Sequence, residues 1–412
     1  MKRILFVDDD PLVLRIYKEA LTRQGFHVEP AHDGVSASKL LQGTKPDLMV
    51  VDLMMPSNQG VALLDSVRSE SRLAGLPVIA FSNSYIDSMP QNSAALGPQK
   101  ILLKVRCTPS ILLGVVRELL NEQPAGHSNF QLSETFKARP EPSPQPVTKG
   151  QNFSSAAAPF NAGPASSPDA EFRTKAREDF LQKAATTCIG LHESFQAFAR
   201  AKTDAERESH LENLYRKVHF LAASAGFAEC FPVARMASVF EAMLFEITNK
   251  TALQTPSVLR TIAQAVDTFD ALFKRARQVT TDVVSTAQVL AVDDDALSNR
   301  LVTSALAQAQ LQATTTQDPF KALEWLEEKK YDLVLLDIEM PGMDGFELCK
   351  RLRQLPGYRK TPVIYVTSHA DFESRAKGAL SGGDDLISKP VFPMELAVKS
   401  MTHLLSSQLS SR

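Results

Sequence analysis

What this 412-residue sequence lacks sets the first limits. Its four cysteines, at 107, 188, 230 and 349, are too scattered to form a paired motif, so neither a zinc site nor a disulfide framework is expected. No apolar run approaches the ~18 residues that a bilayer crossing requires. The N-terminal stretch MKRILFVDDD runs into acids after too few apolar residues for a secretory signal. Charge excess is missing as well. Against 45 Lys and Arg stand 47 Asp and Glu, a net charge of −2, which argues against nucleic acid or a membrane surface as the main partner. The expectation is a cytoplasmic protein with reduced thiols and about two to four domains. Its 44% apolar content is enough to fill ordinary cores.

What is present begins with ILFVDDDPLVLR at residues 4–15, where a buried-type strand ends in Asp8, Asp9 and Asp10. VLAVDDDALSNR at 289–300 repeats it almost position for position. PDLMVVDLMMPSNQG (46–60) likewise matches YDLVLLDIEMPGMDG (331–345), and PVIAFSNS (77–84) matches PVIYVTSH (362–369). Asp9 and Asp294, Asp52 and Asp337, Pro56 and Pro341, Gly60 and Gly345, Ser82 and Thr367, and Lys104 and Lys389 all differ by 285 positions. A register held without a gap over about a hundred residues means two copies of one domain, residues 1–121 and 287–410.

In the second copy, strands are expected at 288–292, 311–316, 332–336, 362–367 and 384–388. Helices are expected at 296–309, 319–329, 345–354, 371–380 and 393–406. Continuous apolar runs belong to strands covered on both faces, hence to a parallel sheet between helix layers. Each copy is therefore a flavodoxin-like (βα)5 domain, whose ligands sit beyond the carboxyl ends of the strands. Asp8, Asp9, Asp52, Ser82 and Lys104 converge there, as do Asp293, Asp294, Asp337, Thr367 and Lys389.

Crowded carboxylates raise one another's pKa, and a hard cation such as Mg²⁺ removes the conflict. With a lysine and a hydroxyl alongside, the set suits a phosphoryl group, and Asp52 or Asp337 becomes the nucleophile. Both copies resemble receiver domains of two-component response regulators. The resemblance implies phosphoacceptors at Asp52 and Asp337, acidic metal pairs Asp8/Asp9 and Asp293/Asp294, and metal-ligating backbone carbonyls at Met54 and Glu339. It further implies switch hydroxyls at Ser82 and Thr367 and active-site lysines at Lys104 and Lys389. Asp10 and Asp295 are better read as helix caps. Two departures stand out. Val105 follows Lys104 where the family usually has proline, and Ile101 and Leu386 stand where it usually has an aromatic. Prolines and sparse apolar spacing also predict a short or irregular helix over 85–99.

Residues 122–170 hold eight of the 24 prolines and are expected to be a flexible linker, reaching about 35–40 Å. From 171 to 280 the apolar period is helical, with helices expected near 170–200, 204–225, 233–249 and 256–278, a four-helix bundle. In RKVHFLAASAGFAEC, His219 sits one step off the apolar stripe and so near the solvent edge, with Ala222, Ala223 and Gly226 clearing space. This stretch resembles the histidine phosphotransfer (HPt) motif, though Ala223 replaces its usual glycine and Ala222 a frequent lysine. The resemblance implies that His219 exchanges phosphate with receiver aspartates. His192 and His210 lack the small neighbours.

The expected order is receiver, linker, HPt-like bundle, receiver, with no segment for DNA binding, a cyclase or a kinase ATP domain, and no enzyme activity. The expected function is a bacterial-type phosphorelay intermediary that uses Mg²⁺. A sensor histidine kinase or HPt protein would donate phosphate and a downstream receiver or effector would take the signal, with homodimerisation possible. Two other readings are a scaffold whose bundle only dimerises or binds a partner, and a Mg²⁺-dependent phosphatase of small molecules.

Overall fold

Alternation along each apolar run decides the architecture, because successive side chains of a strand point to opposite faces. Ile4, Phe6, Val50, Ile79 and Phe81 fill one side of the first sheet, while Leu5, Val7, Met49, Val51, Val78 and Ala80 fill the other. Both faces must then be covered, which parallel strands with helical crossovers achieve. A computed structural model of the protein describes residues 1–55, 59–82, 98–104, 107, 109–120, 168–278, 287–368 and 372–410.

The first domain contains β1 (Arg3–Val7), α1 (Pro11–Arg23), β2 (His27–Ala31), α2 (Gly34–Gly43), β3 (Leu48–Asp52), α3 (Gln59–Ser69), β4 (Val78–Ser82), β5 (Lys100–Leu103) and α4 (Pro109–Leu119). Its sheet is parallel, in the order β2-β1-β3-β4-β5. Four helices follow: α5 (Pro168–Arg200), α6 (Asp204–Phe227), α7 (Phe231–Asn249) and α8 (Pro256–Ala276). The last domain contains β6 (Gln288–Val292), α9 (Ala296–Gln308), β7 (Gln312–Thr316), α10 (Pro319–Glu328), β8 (Leu333–Leu336), α11 (Gly345–Gln354), β9 (Val363–Thr367), α12 (Phe372–Ser381), β10 (Asp385–Ser388) and α13 (Pro393–Ser410). Its sheet runs β7-β6-β8-β9-β10. Even the strand register repeats at the same spacing: Ile4 pairs with Leu48, and Val289 with Leu333. The fold is thus two flavodoxin-like α/β domains flanking an all-α region.

Local chemistry starts the bundle helices where the sequence suggests. Thr203 and Glu206 form a capping box at the start of α6, and Thr255 caps α8 ahead of Pro256. The apolar stripes, Leu211, Leu214, Val218, Leu221 and Ala225 on α6 and Val233, Met236, Phe240, Leu244 and Ile247 on α7, lie in one core.

That core does not stop at the bundle. It continues into Met394, Ala397, Val398 and Met401 of α13 and on to the second sheet. At the same interface the Glu395 carboxylate accepts hydrogen bonds from Ser257 Oγ at 2.6 Å and Thr261 Oγ1 at 3.1 Å. The first domain meets the bundle elsewhere, where Ala223 and Phe227 enter the cluster of Val13, Leu14, Tyr17 and Leu21 and Phe227 lies 5.7 Å from the Tyr17 ring.

The expected irregular helix at 85–99 falls almost wholly outside the described residues, as does Val105. So does the expected linker, except that its last residues, 168–170, begin α5. No described helix is long and apolar enough to cross a membrane.

Candidate functional site

In the second domain, the ends of β6, β8, β9 and β10 bring Asp293, Asp294, Asp337, Thr367 and Lys389 to one edge of the sheet. Oxygens of the three aspartates lie within 4.8 Å of one another. Lys389 Nζ bridges Asp293 Oδ2 and Asp337 Oδ2, each at 2.8 Å. Asp337 Oδ1 accepts from the Ile338 amide at 2.7 Å. Burial pushes the Asp293 carboxyl above the usual carboxylate range. Burial also opposes the Lys389 charge, but its hydrogen bonds to Asp293 and Asp337 outweigh this and hold it cationic. Asp295 stands apart as the cap of α9, accepting from the amides of Leu297 and Ser298. Gly345 begins α11 so close to the end of β8 that a Cβ there would lie 2.1 Å from the Asp337 carbonyl oxygen, and Gly60 stands in the same relation to Asp52 at 2.0 Å. Asp294 and Glu339 are exposed and line an open cavity of about 980 Å³ with Asp344, Lys350 and Lys377.

The first domain builds the same constellation. Lys104 Nζ lies 2.7 Å from Asp8 Oδ2 and 2.6 Å from Asp52 Oδ2, and the Met54 amide donates to Asp52 Oδ1 at 2.8 Å. Ser82 is the last residue of β4. Burial is more complete here. It drives Asp8 up to about 7 despite Lys104, while Asp52 and Asp8 overcome the burial penalty on Lys104 and raise it well above the ordinary lysine range.

The reason is His219. Expected near the solvent edge, it is instead 0% exposed, because the α6 face one step off the stripe is covered by the first domain. Its Nε2 lies 3.3 Å from Asp9 Oδ1 and 3.5 Å from Asp52 Oδ2, and its Nδ1 donates to Glu241 Oε1 at 2.8 Å. Burial disfavours the imidazolium, but Glu241 and the bond to Asp9 raise the His219 pKa well above its ordinary value. The same contact holds Asp9 low against its own burial. One turn earlier on α6, the buried Tyr215 hydroxyl donates to the Met54 carbonyl. The two alanines near His219 also part company. Ala223 faces the first domain as expected, whereas Ala222 lies in the bundle core and clears nothing on that face.

Sequence reasoning missed Glu241 and Tyr215. Glu241 had a signal, a lone acid inside the apolar run of α7 beside the stripe residue Phe240. Tyr215 had none, since an aromatic next to Leu214 fits a core equally well. His192 bonds Asp267 at 3.0 Å and the Cys188 carbonyl at 2.9 Å, and neither it nor His210 joins an acidic cluster among the described residues. Ile101, at the position the family usually gives to an aromatic, is 46% exposed, and Leu386 is 9% exposed.

Both clusters offer hard carboxylate oxygens in a crowd that a divalent cation would relieve, so the residues fit Mg²⁺. Asp8, Asp9, Asp52 and the Met54 carbonyl would hold it in one copy, and Asp293, Asp294, Asp337 and the Glu339 carbonyl in the other.

The sequence profile of the response regulator receiver domain matches residues 4–115 and 289–400, together more than half of the chain. Among curated proteins, the cyclic di-GMP phosphodiesterase response regulator RpfG of Xanthomonas campestris pv. campestris is 42% identical over 93 residues, 23% of this chain and 25% of that protein. The signal transduction histidine-protein kinase BarA of Shigella flexneri is 34% identical over 124 residues, 30% of this chain and 14% of that protein. The chain thus spans a quarter or less of these two relatives. A crystal structure of the chemotaxis response regulator CheY4 of Vibrio cholerae is 30% identical, covering 29% of this chain and 99% of that one with a TM-score of 0.28.

Proposed function

Because the chain belongs to the response regulator receiver domain family, carrying two copies of that domain around a helical bundle, we propose that it is a phosphorelay protein in which His219 exchanges phosphoryl groups with Asp52. The observation that carries this reading is the position of His219 Nε2, 3.5 Å from Asp52 Oδ2, with Nδ1 tied to Glu241. Tying one nitrogen to a buried carboxylate fixes which nitrogen faces the acceptor.

Receiver domains take phosphoryl groups from histidine kinases or HPt proteins and bind Mg²⁺ at their acidic pocket. In the proposed reaction a carboxylate oxygen of Asp337 or Asp52 attacks phosphorus, an O–P bond forms, and the N–P bond of a phosphohistidine donor breaks with its electron pair returning to nitrogen. Lys389 or Lys104 meets the charge on the phosphoryl oxygens, and the Thr367 or Ser82 hydroxyl donates to one of them. The cation supplies further neutralisation of those oxygens. The signal would leave by onward transfer or by contact with a protein partner.

His219→Gln tests the relay. In an Asp337→Asn, Phe227→Ala background, in which Asp52 is expected to take label from acetyl phosphate, the chain with His219 passes label on to it and the His219→Gln chain does not, read as loss of the acid-labile, base-stable phosphohistidine fraction. Equal fractions in both would overturn the transfer role. They would favour a second reading, a scaffold, which the core shared by the bundle and the second receiver also suits.

A pH dependence follows from Asp8. Cation binding requires its carboxylate, and in the cation-free site Asp8 ionises only near pH 7. Affinity of the first receiver for Mg²⁺ should therefore fall by up to roughly tenfold per unit as the pH drops below that value. Titration calorimetry in buffers of different ionisation enthalpy would show a proton released per ion bound below neutrality.

A further inference from the structure

The bundle engages the very atoms proposed to hold the cation in the first receiver. Tyr215, 3% exposed, donates its hydroxyl hydrogen to the Met54 carbonyl, and the His219 ring fills the space in front of Asp9 and Asp52. A magnesium ion requires octahedral geometry at about 2.0–2.1 Å and keeps several of its waters. Those waters need room of about 30 Å³ each. In the closed pocket, Asp8, Asp52, Lys104 and His219 side chains are all sealed from solvent, and His219 Nε2 stands 3.3 and 3.5 Å from the two carboxylates. No hydration layer fits across such gaps.

The second receiver is the internal control. It has the same ligand set at the same spacing, yet Asp294 is exposed beside an open cavity. Leu301 on α9 is 48% exposed, whereas Ile16, its counterpart on α1, packs against the cluster containing Ala223 and Phe227. The helical bundle over the first pocket accounts for the difference.

We propose that Tyr215 is a latch on the first receiver: its bond to the Met54 carbonyl, with His219 seated over Asp9 and Asp52, excludes a hydrated divalent cation, so that cation loading and release of the bundle are linked. The inference rests on reading Asp8, Asp9, Asp52 and Met54 as the cation ligands. It also orders events in the relay. At 3.5 Å, His219 Nε2 and Asp52 Oδ2 are in van der Waals contact, which leaves no place for a phosphoryl group between them. The latch must open before Asp52 can carry one.

The test uses the full chain with Asp293→Asn and Asp337→Asn, so that one cation site remains, and measures free Mn²⁺ by electron paramagnetic resonance. Tyr215→Phe keeps the ring and removes the hydroxyl, and should bind Mn²⁺ several-fold more tightly than this parent. Phe227→Ala loosens the bundle without touching the site and should do the same. Adding Asp52→Asn should abolish binding, which places the ion in the first receiver. Affinity of Tyr215→Phe equal to or below that of the parent overturns the latch, whatever Phe227→Ala does. No Mn²⁺ bound in any variant removes the cation site itself, and the latch with it.

Discussion

Incubated with Mg²⁺ and labelled acetyl phosphate, the Asp337→Asn variant is expected to take up less than about a tenth of the label of the parent, and Asp52→Asn nearly all of it. The two aspartates have the same neighbours, a lysine bridging each to a second acid. Access separates them. Asp337 is 6% exposed and has as neighbours in its cluster the exposed Asp294 and, two residues on, Glu339, which line an open cavity. Asp52 lies under the His219 ring, with both side chains sealed from solvent. Replacing a carboxylate by an amide removes the proposed nucleophile, so the double variant should take up no label. Mass spectrometry of the intact variants, with the borohydride-trapped aspartate located by peptide mapping, checks the result. Equal uptake at both sites would mean that the first pocket is open in solution.

Phe227→Ala should reverse that protection. The ring lies tilted against Tyr17 at 5.7 Å and is the larger of the two bundle side chains, with Ala223, in that cluster of the first receiver. Removing a buried Phe costs about 3–5 kcal/mol. Here that loss falls on the contact between bundle and receiver, because the remainder of each core is untouched. Of the 3–5 kcal/mol, even half would shift a closed-to-open equilibrium more than about tenfold. In an Asp337→Asn background, Phe227→Ala should therefore restore labelling, now at Asp52. A variant with native-like circular dichroism and no recovered label would show that something other than this contact shields the site.

The α/β domains were legible because they are duplicated. The 285-residue spacing turned Asp8, Asp9, Asp52 and Lys104 from scattered polar residues into half of a repeated set, and the strand register keeps the same spacing. Helical period made α5 to α8 legible too, and the caps at Thr203 with Glu206 and at Thr255 start α6 and α8 locally. The burial of His219 was not legible. A residue one step off a stripe reaches solvent only if nothing else covers that face, and a covering domain some 200 residues upstream leaves no mark in local periodicity. Tyr215 was hidden for the same reason, because its partner is a backbone carbonyl 161 residues away. Glu241 was within reach, as a charge inside an apolar run requires a buried partner.

The continuous packing of α13 onto α7 and α8 has a mechanical consequence. Bundle and second receiver share one interior, tied by Glu395 to Ser257 and Thr261, so moving one against the other would break that packing. The first receiver is joined through a smaller apolar patch and a cluster of charges. Parting the first receiver from the bundle therefore disturbs less apolar packing than parting the bundle from the second receiver, so any opening of the chain should begin at the first contact.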